Sequence, residues 1–188
     1  MRYADGPGAQ CEVFVRAPVE RVWALVTDIE LPARLSPELQ RVAWLGGAGG
    51  ADGVGKVGGV DGPALGSRFE GFNSRPNTRD WRTVSEVVEL AEHRVFAWAV
   101  MDADGRFGAP VSEVAGALAR WRFDLIPEDG GTRLRHSVVI GPGRSGVVLA
   151  IEARPEAEEK IVAYRLGELR TGMTATLDGI KSLAEKAG

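Results

Sequence analysis

The sequence predicts an α+β fold in which seven strands precede one long C-terminal helix. Three observations carry this. Between Gly66 and Met101, and again between Ala117 and Ile140, apolar and polar residues alternate with period two, as half-buried antiparallel strands require. Beyond Pro155 the apolar residues Val162, Leu166, Leu169, Met173, Leu177, Ile180 and Ala184 recur at helical spacing for about eight turns. Bulky aromatics then fall on one face of the middle strands, more bulk than a flat sheet needs unless that face curves around something.

The elements follow in order. After a polar, glycine-rich start without the apolar stretch of a signal peptide, QCEVFVR (Gln10 to Arg16) is a first strand. Cys11, Val13 and Val15 share one side of it. Pro18 opens a helix whose stripe is Val19, Val22, Trp23, Val26 and Ile29, and Glu20 lies in its first turn, where negative charge suits the dipole. Leu31 to Leu35 is a second short helix, and RVAWL (Arg41 to Leu45) a second strand. Residues 46–65 are too rich in glycine for regular helix or strand and form a loop insertion, read as a mobile flap or hairpin insertion because strand patterning resumes on both sides. Strands near 67–74, 81–90, 94–101, 117–126 and 132–140 follow, the last two joined by a turn containing Asp-Gly-Gly. Residues 102–116 form a second long loop, and 145–154 a helical turn or loop.

Composition bounds the function. The 188 residues, 44% hydrophobic, suit one domain over 1–188. A net charge of -3, with arginines scattered among acidic residues, gives no footprint for nucleic acid. No apolar run approaches the roughly 20 residues of a membrane span. The single cysteine, Cys11, forms no internal disulfide, and no Cys/His spacing suggests zinc. A cytoplasmic protein without metal or cofactor is expected. A homodimer is compatible with the sequence but not indicated by it.

With APVERVWALVTDIELPARLSP, GSRFEGFN, WRTVSEVVEL, FAWAV, ARWRFDLIPEDGGTRLRHSV and the final MTATLDGIKSLAEKAG, the chain resembles the START-like helix-grip superfamily (SRPBCC), in its polyketide cyclase/dehydrase-like branch. The resemblance spans roughly residues 10 to 187. It implies a helix-grip fold, a seven-stranded antiparallel sheet wrapped around the long C-terminal helix with two short helices after the first strand. It also implies an apolar cavity between sheet and helix for a small hydrophobic ligand: lipid, polyketide or quinone. Some members of that branch cyclise or dehydrate polyketides, and no universal catalytic motif accompanies the fold. The two long loops are expected to reshape or cover the cavity mouth.

Strand parity selects the side chains that line such a cavity: Phe69, Asn73, Trp81, Thr83, Ser85, Phe96, Trp98, Trp121, Phe123 and His136, with Leu169 and Met173 from the helix. His136 sits between inward apolar neighbours. It is either a general acid or base, partnered by Asn73, Ser85, Thr83 or Tyr164, or a core histidine tethered to a polar group. Asn73 either orients a ligand carbonyl or caps the backbone. Trp81, Trp98 and Trp121 either stack on a planar ring or simply fill the core. Arg75, Arg79 and Arg82, the acidic start of the last helix and His93 read as solvated surface.

Three functions are open at this stage: a binding module, an aromatase/cyclase or dehydrase using the same cavity, and an interaction module acting through the charged outer face. The binding module leads.

Overall fold

The computed structural model describes residues 1–35, 38–45, 63–74 and 79–186. The strands are β1 (Gly8–Val15), β2 (Leu39–Trp44), β3 (Arg68–Asn73), β4 (Trp81–Ala91), β5 (Val95–Met101), β6 (Ala119–Glu128) and β7 (Gly131–Ile140). They form one antiparallel sheet in the order β1-β7-β6-β5-β4-β3-β2. Between β1 and β2 lie the short helices α1 (Val19–Val26) and α2 (Leu31–Leu35). After β7 come α3 (Gly146–Ala153), a 3-10 turn at Pro155–Ala157 and α4 (Glu158–Lys186). Residues 46–62, most of the glycine-rich insertion, and Arg75 lie outside the described residues.

Register explains the curvature and the inward face. Phe69 pairs with Ser85, Trp98 with Trp121, Phe96 with Phe123, and Phe123 with His136, which in turn pairs with Cys11. A bulge between Val87 and Glu89 shifts the parity of β4, so that Leu90 rather than Glu89 turns inward beside Phe96. The β6–β7 hairpin closes through Asp129-Gly130, with Gly130 at φ 78, a conformation glycine adopts without strain.

On the concave face α4 crosses β1 and β7, while α1 and α2 fill the other end. Two apolar clusters result. One, beneath α1, α2 and the C-terminal half of α4, includes Val15, Val22, Leu31, Phe96, Phe123, Leu134, Leu177 and Ile180. The other, beneath the N-terminal half of α4, includes Ala9, Val138, Ile140, Val162, Leu166 and Met173. Fully burying each of the larger of these side chains is worth roughly 1.5–3 kcal/mol.

Several expectations need correction. Part of the loop after β5 lies on the outer face of the sheet. Val111 and Val114 pack on the outer face against Val84, Ala99, Met101 and Ala117, while the Arg106 guanidinium lies over the ring of Trp81. Asp102 anchors this loop by accepting the Arg106 and Phe107 backbone N–H groups at 2.9 and 2.8 Å. Pro18 caps α1 rather than starting it. Residues 146–153 are a full helix. His93 is half-buried, its ring edge-on to Trp23 at 6.0 Å. The N-terminal segment is tied down: the Tyr3 hydroxyl donates to the Gly143 carbonyl at 2.6 Å, and its backbone N–H to Glu158 at 2.9 Å. Glu158 and Glu159 are thus engaged rather than merely solvated, Glu159 by the Met1 ammonium at 2.6 Å.

Candidate functional site

The aromatic rows of β5, β6 and β7 stand side by side on the concave face. Trp98 and Trp121, opposite one another across β5 and β6, stack at 6.3 Å with an interplanar angle of 11°. The imidazole of His136 stacks on Phe123 at 4.1 Å and 19°, and lies 5.1 Å from the Trp121 ring. Phe96 and Phe123 flank Trp98 at 5.3 and 5.8 Å. Phe96, Phe123 and His136 are buried, whereas Trp98 and Trp121 are only half-buried. Trp98 packs on the first cluster and Trp121 on the second, so the stacked pair marks the boundary between them.

α4 supplies the facing wall. One flank sits on β1, where Cys11 Sγ lies 3.7 Å from Thr174 Oγ1. Met173 is buried under the helix, and Leu169, Gly172, Thr176 and Gly179 follow along the opposite flank at spacings of three, four and three residues. At Gly179 that flank is closed by α2, since an added Cβ would lie 2.6 Å from Leu35 Cδ1. At Gly172 it is open: an added Cβ meets nothing within 4 Å.

The chemistry of His136 is unusual for a core residue. Among the described residues neither of its ring nitrogens has a hydrogen-bond partner. Burial alone holds the imidazole neutral, its pKa lowered from 6.5 to about 3. The polar tether expected of a core histidine is therefore not there. Nor are the expected catalytic partners beside it. Tyr164 is 71% exposed on the far side of α4. Ser85 and Thr83 stand on β4, three strands away, and Asn73 on β3, four strands away; at roughly 4.8 Å per strand all are beyond hydrogen-bond reach. Asn73 Nδ2 instead donates to the Gly71 carbonyl at 3.4 Å.

The candidates thus divide. Phe96, Trp98, Trp121, Phe123 and His136 come together on the concave face, and Leu169 and Met173 of α4 share the cluster that Trp121 packs on. Phe69 and Ser85 lie further out on the same face, Phe69 edge-on to Trp44 at 5.5 Å. Trp81 sits at the strand end beneath the Arg106 guanidinium, 4.6 Å above its ring. Trp44 was not singled out from sequence, although its alternation with Val42 in RVAWL places both inward.

A curved seven-stranded antiparallel sheet with a long C-terminal helix on its concave side defines a helix-grip protein. Over residues 9–185 the sequence matches the family model for polyketide cyclase/dehydrase and lipid transport, and the chain belongs to that family. Among solved structures, the polyketide cyclase-like protein Cgl2372 of Corynebacterium glutamicum superposes with a TM-score of 0.59 at 24% identity, over 95% of this chain and 91% of that one. The di-domain ARO/CYC StfQ of the steffimycin biosynthetic pathway gives 0.64 at 15% identity, this chain (95% covered) spanning 50% of it. Ara h 8.0201 gives 0.55 at 12% identity, over 95% and 97% of the two chains. At these identities the likeness concerns the fold. No curated protein matches the sequence.

Proposed function

We propose that the protein binds a small apolar or aromatic molecule between the concave face of the sheet and α4. The observation that carries this is the half-buried Trp98–Trp121 stack at the seam between two separately packed clusters, the second of which also holds Leu169 and Met173 of α4. Large planar surfaces left part-exposed inside a concavity favour a planar guest, at about 25 cal/mol per Å² of apolar surface removed from water. The family description, which includes lipid transport, supports the same class of ligand.

The family description also includes cyclisation and dehydration, and StfQ is an aromatase/cyclase, which favours a second reading in which this site folds a polyketide chain for ring closure. Such chemistry needs a proton relay with a pKa near the working pH. His136, neutral down to about pH 3, is a weak base there and lacks a polar partner among the described residues. Binding is therefore the leading function.

The test is calorimetric titration with a neutral planar probe, 2-naphthol. Trp98→Ala should weaken binding by about tenfold or more, equivalent to losing roughly 1.4 kcal/mol of stacking and burial. Trp81→Ala, whose ring is already covered by Arg106, should leave the affinity unchanged. Equal losses in the two variants, or none in either, would refute the site. Native mass spectrometry of freshly purified protein then identifies any molecule retained there.

A further inference from the structure

Away from the concave face, a cleft of ≈ 690 Å³ opens where the N-terminal turn, the end of β7 and α3 meet. That volume falls within the roughly 300–1,000 Å³ of small-molecule sites. Tyr3, Val139, Pro142, Val148 and Ile151 wall it, and Arg120 projects from β6 into the same lining.

Two independent features bear on its occupant. First, α3 is apolar along almost its whole length (GVVLAIEA), yet none of its residues is fully buried, and Val139 beside it is 45% exposed. Bare apolar surface of this kind, concentrated around a concavity, marks a binding face. Second, Arg120 stands apart from the other arginines of the outer face. Arg68, Arg82, Arg122, Arg133 and Arg135 each reach a carboxylate. Arg120 reaches only the Val114 carbonyl, at 3.5 Å, so among the described residues its charge has no anionic partner. The two carboxylates at the rim of the cleft are already engaged. Glu152 accepts from Arg144 at 2.6 Å, and Glu158 from the Tyr3 backbone N–H at 2.9 Å.

We propose that this cleft is a second ligand site, distinct from the concave one, for a small carboxylic acid with an apolar body. The alkyl or aryl part lies against Val139, Val148 and Ile151, and the carboxylate accepts from the Arg120 guanidinium, whose planar fork matches it.

Methyl NMR of the full chain, titrated with sodium octanoate and separately with 1-octanol, tests this. Octanoate should shift the methyl resonances of Val139, Val148 and Ile151 and bind about tenfold more tightly than octanol, the usual gain from a charge-assisted hydrogen bond. Arg120→Gln, at an exposed position, should erase that difference while leaving octanol binding as it was, and Arg120→Lys should keep part of it. Equal affinity for acid and alcohol, an Arg120→Gln protein that still prefers the acid, or shifts confined to concave-face methyls such as Val138 and Leu169 would each overturn the proposal.

Discussion

Replacing His136 with phenylalanine should flatten the acid side of the stability curve. In the unfolded chain the imidazole takes up a proton near pH 6.5, whereas burial against Phe123 and Trp121 keeps it neutral in the folded protein down to about pH 3. The folded-state pKa is depressed, so the unfolded state binds the proton first. Stability is complete above about pH 6.5 and falls as the pH drops from there toward about 3. At about pH 5 the unfolded imidazole is almost fully charged and the folded one is not. The difference is about 1.5 pH units of linkage, or about 2 kcal/mol.

Phenylalanine keeps a ring on Phe123 and removes two buried nitrogens that have no partner among the described residues, so the variant should be at least as stable near neutrality. Urea unfolding of both proteins at about pH 7.5 and about pH 5 measures the effect. The wild type should lose about 2 kcal/mol more than His136→Phe between the two conditions. Carboxylates that titrate in this range contribute equally to both proteins and cancel. Parallel losses would refute the reasoning and show that the imidazole is charged, hydrogen-bonded or hydrated in the folded state.

Three further outcomes follow from the geometry. Gly172→Ala should raise stability by roughly 0.5–1 kcal/mol in thermal unfolding, because its Cβ meets nothing within 4 Å and glycine is costly inside a helix. Gly179→Ala should gain less, since Leu35 must move away from a Cβ only 2.6 Å off; equal gains would count against the seating of α2 on α4. Asp102→Ala leaves the Arg106 and Phe107 N–H groups without their acceptor and should cost about 2–3 kcal/mol, with faster hydrogen exchange across 105–111; unchanged exchange would show that the carboxylate does not hold this loop.

Much of this architecture is legible in the sequence because its strands are buried on one face. Trp121, Phe123 and Leu125 alternate with Arg120, Arg122 and Asp124, and a slip of one residue would bury the charges. The Asp129-Gly130 turn and the long stripe of α4 are equally plain. What escapes is tertiary. α3 has apolar residues on every side, so its sequence carries no helical period to read. The loop after β5 owes its course to Met101 and Val84, which alternation alone presents as ordinary outward residues; only Val111 and Val114, many residues later, make that side a second small core. The site shows the same limit. Parity places Asn73, Trp81 and His136 on one face, but their separation across the sheet depends on strand order, which no single strand encodes. The orphaned nitrogens of His136 are likewise a property of its neighbours.

The placement of α4 on β1 also constrains how the chain can fold. The Arg16 backbone N–H donates to Glu185 at 2.8 Å, and Cys11 lies against Arg170 and Thr174, contacts about 160 residues apart in sequence. While a ribosome is still synthesising α4, the inward side of β1 and β7 has no partner, and an apolar sheet with open edges is exposed for the seconds that synthesis takes. Closing so long a loop is slow. A sheet built this way completes its core only once α4 has been synthesised, and a truncation that removes the last turns of α4 should send the chain into aggregates rather than yield a weakened native state.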